Sequence, residues 1–101
     1  MQIEISLPTF YSIGDERRFF QALSNLSAIT EFHGEGQRLL ISISIRSLNK
    51  ESLIEMISLF RRYSVPLSPL NPLAKNKKFH WLNDARYTWH ENMFASSSIQ
   101  S

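Results

Sequence analysis

The run that most constrains this chain is Leu39-Leu40-Ile41-Ser42-Ile43-Ser44-Ile45-Arg46, which follows the turn signal Gly34-Glu35-Gly36. A period of two puts Leu39, Ile41, Ile43 and Ile45 on one face and Leu40, Ser42, Ser44 and Arg46 on the other. That is a strand with one side in a core and one in water. The β-rich stretch Ser27–His33 lies just before the glycines, which supply the positive φ of a tight turn. Together these segments predict a hairpin.

The rest of the chain offers elements to cover it. Ile3, Ile5 and Leu7 alternate with Gln2, Glu4 and Ser6 ahead of Pro8, which predicts another half-buried strand. Phe19, Phe20, Leu23 and Leu26 recur at helical spacing, so a helix is expected over Asp15–Asn25 with Asp15 as its N-cap. A second helix, capped by Asn49 or Ser47, carries the stripe Leu53, Ile54, Ile57 and Phe60. It runs to about Tyr63 and stops before Pro66. Pro66, Pro69 and Pro72 alternate with Leu67, Leu70 and Leu73 at a three-residue interval, which fits polyproline II or successive turns with the leucines packed down. Phe79–Leu82 reads as a short strand. Asp84 reads as the cap of a last helix over Ala85–Phe94, with Ala85, Trp89 and Met93 aligned. The expected fold is α+β: an antiparallel sheet of three or four strands, two main helices on one face and a short C-terminal helix. The connections resemble part of a ferredoxin-like unit. Residues 1–95 are expected to form one domain and 96–101 a disordered polar tail.

Composition narrows the chemistry. At 101 residues, 43% hydrophobic and 20% charged, the chain suits one globular domain. It has no cysteine, which excludes disulfides, thiolate nucleophiles and Cys-ligated zinc, and fits a reducing cytoplasm. No apolar run nears the ~20 residues that span a bilayer, and MQIEISLP lacks the pattern of a signal peptide. A cytoplasmic protein without a membrane association is therefore expected. Residues 1–60 carry seven acids and five bases, a net −2; residues 61–101 carry six bases and two acids, a net +4.

Catalytic signatures are missing. His80 and His90 stand ten apart beside Glu91, without the i, i+4 spacing of a helical metal pair, and His33 adjoins the hairpin turn. Asp15 and Glu16 sit where the helix dipole favours acids. Gly34-Glu35-Gly36 precedes a strand rather than a helix, so it is no phosphate loop, and there is no nucleophile elbow. The outer face of the Gln37–Arg46 strand carries no ring, whereas sheet-based RNA binders need exposed rings there. No catalytic residue, metal or cofactor is expected, and the chain reads as a binder rather than an enzyme. Phe79–Phe94 gathers both tryptophans, two histidines, Phe79, Tyr87 and Phe94. Most of these rings are expected in the core, with Trp81, Tyr87 or His90 left at the rim as interface anchors.

Three stretches, Asp15-Glu16-Arg17-Arg18-Phe19-Phe20, Leu53–Tyr63 before a Val-Pro-Leu turn, and Tyr87-Thr88-Trp89 through Met93-Phe94, give the chain a texture that resembles small immunity proteins of bacterial polymorphic toxin systems, such as contact-dependent growth inhibition. The resemblance implies a protein that neutralises one cognate toxin domain, often a nuclease, by occluding it. Because such toxins tend to be basic, Glu31, Glu35, Glu51 and Glu55 become candidate contacts beside Trp81, Tyr87 and His90. The alternative is a small nucleic-acid-binding or regulatory module using Arg61, Arg62, Lys75, Lys77 and Lys78, although nucleic acid is not the expected partner. The sequence leaves the oligomeric state open.

Overall fold

The computed structural model describes residues 1–99, with the backbone alone for 95–99. The elements are β1 (Gln2–Ser6), α1 (Ile13–Asn25), β2 (Ile29–Glu35), β3 (Arg38–Ile43), α2 (Lys50–Arg62), two 3-10 helices (Ser68–Lys75 and Lys77–Asn83) and α3 (His90–Ile99). The class is α+β. Contacts divide the chain into one unit spanning Met1–Val65 and another beginning at Pro66. No helix of the described residues is long and apolar enough to cross a membrane.

In the first unit the hairpin forms where the glycines stand, closing on Gly36 and Gln37. Gly36 has φ +65°, the conformation that glycine adopts at no steric cost. Gly34 stays within β2. β3 is the central strand, antiparallel to both neighbours in the order β1-β3-β2. β1 and β2 therefore run parallel with β3 between them, so β1–α1–β2 is a split βαβ crossover. Ile3, Ile5, Leu39, Ile41 and Ile43 are buried on the inner face. Phe20 of α1 stacks on Phe32 of β2 at 5.7 Å, which places α1 over that face. Phe19 and Leu23 of α1 are buried, as are Leu53, Met56, Ile57 and Phe60 of α2. Phe10, Phe19 and Tyr63 meet at 5.2–6.0 Å and tie the entry of α1 to the end of α2.

The caps refine the helix boundaries. Ser12, not Asp15, opens α1: its Oγ accepts the Asp15 amide at 3.0 Å. Asp15 instead pairs with Arg18 at 3.1 Å, three residues on. Serine in extended backbone three residues upstream was the better cap, and the helix starts two residues earlier than expected. Asn49 caps α2 through Oδ1 to the Ser52 amide at 2.8 Å. α2 ends in a Schellman arrangement. Val65 donates back to the Phe60 carbonyl (2.8 Å) and Ser64 to Arg61 (3.2 Å), with Ser64 held at φ 58°.

In the second unit the period-three segment becomes a 3-10 helix. With three residues per turn, Leu67, Leu70 and Leu73 line one face, and all three are buried. The expected strand over Phe79–Leu82 is instead a second 3-10 helix, with Phe79 and Leu82 buried. No fourth strand forms among the described residues. Asp84 does not cap a helix. It accepts the Arg86 amide at 2.9 Å and grips the Arg86 guanidinium at 2.7–3.1 Å, so residues 84–86 turn and α3 begins only at His90. Asn92 and Asn71 then bind α3 to the first 3-10 segment: Asn92 Oδ1 accepts the Leu67 amide, and Asn71 Nδ2 donates to the Met93 carbonyl. α3 runs to Ile99, into the stretch expected to be a free tail; positions 100 and 101 lie outside the described residues.

Candidate interaction surface

The side of the sheet away from Phe32 and Ile41 carries side chains that are exposed or half-exposed. Register sets its rows. Gln2, Ser42 and Glu31 form one; Glu4, Leu40 and His33 the next; Ser6, Arg38 and Glu35 the third. Period two delivers these residues outward for the same reason that it sends the isoleucines inward. Three carboxylates and one guanidinium stand on this face around Leu40, which is only half-buried. Glu4, Glu35, Arg38 and Leu40 line a shallow depression there. Arg38 Nη1 reaches Glu4 Oε2 at 3.4 Å, a long contact between exposed groups. Exposed pairs of this kind contribute little to stability, so both remain available to a partner.

The candidate contacts do not fall on one surface. Glu31 and Glu35 share the sheet face just described. Glu51 and Glu55 are exposed one turn apart on α2, where Glu55 lines an open groove with Ala22, Leu26, Ser58, Leu59 and Arg62. Trp81, Tyr87 and His90 belong to the second unit and are half-buried. Tyr87 stacks on Trp89 at 4.6 Å with ring planes 13° apart, and Trp81 meets both edge-on at 5.8 and 6.4 Å. Trp89 is 8% exposed and anchors this triad. His90 packs on Phe94 at 4.7 Å. The cations of the alternative reading are dispersed as well: Arg61 and Arg62 close α2, while Lys75, Lys77 and Lys78 flank the junction of the 3-10 helices.

Exposed ion pairs shift the titration of their own members. The Arg86 guanidinium and amide hold the Asp84 carboxyl at about 2, below its ordinary 3.8. Asp15, by hydrogen bond and charge, raises the already high pKa of Arg18. Among the described residues none of the buried ones is polar or charged, and no group of three or more His, Asp and Glu converges as a metal-ligand set.

Two features escaped the sequence reading. Glu4, Arg38 and Leu40 complete the acidic face, and although alternation put Glu4 on a polar side, only the β1–β3 pairing sets it beside Arg38. Tyr11 and Ile13 stand 92% and 74% exposed around the α1 cap, because Ser12 occupies the cap position and leaves its neighbours outside the helix's buried stripe. No family model matches the chain, and neither curated proteins nor solved structures yield a match.

Proposed function

We propose that this chain is a non-enzymatic immunity protein of a bacterial polymorphic toxin system, acting in the cytoplasm by binding a cognate toxin domain and blocking its site sterically. The observation that carries this reading is the outer face of the sheet, where Glu4, Glu31 and Glu35 surround the apolar centre Leu40. A desolvated centre with a charged rim is the anatomy of a specific interface, and the acids complement a basic nuclease surface. The rigid antiparallel sheet presents these groups without ordering a loop, which lowers the entropic cost of association.

The test begins with the reading frame next to this gene. Its C-terminal domain, co-expressed with the chain, should co-purify and lose its toxicity. Glu31→Lys combined with Glu35→Lys should abolish protection while the fold, read by circular dichroism, persists. Full toxicity in the presence of the wild-type chain would sink the immunity reading. Protection that survives the double reversal but is lost with Glu51→Lys and Glu55→Lys would move the interface to α2.

A further inference from the structure

β2 is an edge strand, and the ladder fixes which of its backbone groups face outward. Met1 and Ile43 exchange both backbone hydrogen bonds, at 3.0 and 2.7 Å, and Leu7 donates to the Gln37 carbonyl at 2.8 Å. Leu39, Ile41 and Ile43 therefore bond to the β1 side, while Arg38, Leu40 and Ser42 bond to Glu35, His33 and Glu31 of β2. That leaves the N–H and C=O of Phe32 and Gly34 pointing away from the sheet, where nothing meets them among the described residues. Gly34 is exposed, its φ is not positive, and a Cβ there would meet nothing within 4 Å. Neither conformation nor packing within the chain requires this glycine, and glycine weakens a strand. Such a residue marks a place where another backbone approaches closely. The opposite edge, β1, has no glycine. No proline or lysine blunts β2, and its register shift falls at its start, between Ile29 and Glu31.

The side chains along this edge state the chemistry of an occupant. Glu31, His33 and Glu35 stand exposed on the outer face. On the inner face Phe32 packs on Phe20 at 5.7 Å, and the position of Gly34 beside it is bare. We propose that β2 accepts an extended segment of a protein partner as a fourth, antiparallel strand, with basic residues opposite Glu31 and Glu35 and an aromatic ring opposite Gly34. Backbone groups of that segment pair with Phe32 and Gly34, its cations meet the glutamates, and its ring covers the glycine. A second copy of the chain fits less well. Self-pairing that brings Phe32 opposite Gly34 also sets Glu31 opposite Glu35 in both halves, and like charges directly opposite are destabilising. The inference deepens the reading of the acidic sheet face as an interface and rests on it for the charge of the partner; the strand pairing rests on the edge itself.

The probe is the fluorescein-labelled peptide Lys-Tyr-Thr-Val-Lys, whose lysines fall opposite Glu35 and Glu31, titrated with the full chain and read by anisotropy. Saturable binding is expected. Methylating the backbone nitrogens of its Tyr and Val, which face β2, should abolish binding. Methylating those of its Thr and last Lys, which face away, should keep binding within about twofold, because charge and side chains are the same in both peptides. Gly34→Pro removes an N–H that the ladder does not use, so circular dichroism should show the fold intact while binding falls about tenfold or more. Glu31→Lys combined with Glu35→Lys should weaken it about tenfold through lost charge complementarity. The proposal is overturned if the parent peptide fails to bind up to millimolar concentration, or if the two methylated peptides bind alike, which would mean diffuse charge. It is also overturned if sedimentation finds a wild-type dimer that Gly34→Pro dissolves, which gives the edge to a second copy. Co-expression with the toxin domain separates this inference from the immunity reading. Protection that survives in a folded Gly34→Pro chain overturns the strand pairing and leaves immunity standing, whereas register-specific peptide binding by a chain that protects against nothing supports the pairing and removes immunity.

Discussion

Trp89→Ala should cost the second unit several kcal/mol. Trp89 is 8% exposed, is stacked on Tyr87 at 4.6 Å and meets Trp81 at 6.4 Å. A buried indole removes ~200 Å² from water, which at ~25 cal/mol per Å² amounts to ~5 kcal/mol as an upper bound. The aromatic pairing adds ~1 kcal/mol, and partial collapse of the cavity returns some of it, leaving an expected loss of ~3–5 kcal/mol. Both tryptophans lie beyond Pro66, so fluorescence reports the second unit, and Trp81 remains as its probe in the variant. Urea unfolding followed by Trp81 emission, beside far-ultraviolet circular dichroism for the whole chain, measures the change. Trp89→Phe should recover about half of the loss by keeping a ring against Tyr87. A cost below ~1 kcal/mol for Trp89→Ala would refute the argument, since a ring that contributes so little is not holding a core together.

Three further outcomes are expected. Ser64→Gly should stabilise the first unit by ~0.5–1 kcal/mol in chemical unfolding: serine at φ 58° carries left-handed strain, and the added freedom of glycine in the unfolded chain offsets only part of the relief. Asn49→Ala should cost ~1 kcal/mol by leaving the first-turn amides of α2 uncapped, with Asn49→Asp close to neutral in the same assay. The carboxyl of Asp84 is held at about 2 in the folded chain against 3.8 ordinarily, so its stabilising contribution is complete above about pH 4 and fades as pH falls through 2. Thermal melts between pH 2 and 5 should show Asp84→Asn with a shallower acid slope than wild type, and identical slopes would contradict the Arg86 pairing.

Much of the first unit was legible because local physics decides it. The strict alternation of β3 leaves one register that buries Leu39, Ile41 and Ile43, and a slip of one residue would expose all three. Gly36 could bend where residues with a Cβ are strained. Asn49 and Pro66 bounded α2 by capping chemistry and by the steric limit that proline sets on its predecessor. The α1 cap was misplaced because Ser12 and Asp15 are both good caps, and the choice between them rests on backbone angles that the residue types leave open.

The second unit was less legible. Period three fits polyproline II and a 3-10 helix equally, and the decision falls to burial of Leu67, Leu70 and Leu73. Phe79–Leu82 is apolar and short, a length at which strand and helix patterns coincide. The candidate surface shows the same division. Alternation assigned Glu4 of β1 to a polar side, but gathering Glu4, Glu31 and Glu35 around Leu40 needed strands far apart in sequence to pair. The aromatic residues make the point most directly. The cluster at Phe79–Phe94 is contiguous and was plain in the chain, whereas Phe10, Phe19, Phe20, Phe32 and Tyr63 are scattered and meet only after folding. The sequence by itself determined the hairpin, the two main helices and the α+β class, because periodicity, capping and turn chemistry act over a few neighbours. The tertiary structure alone decided which side chains from distant segments share a face, because strand pairing and core burial act between residues that no local pattern links.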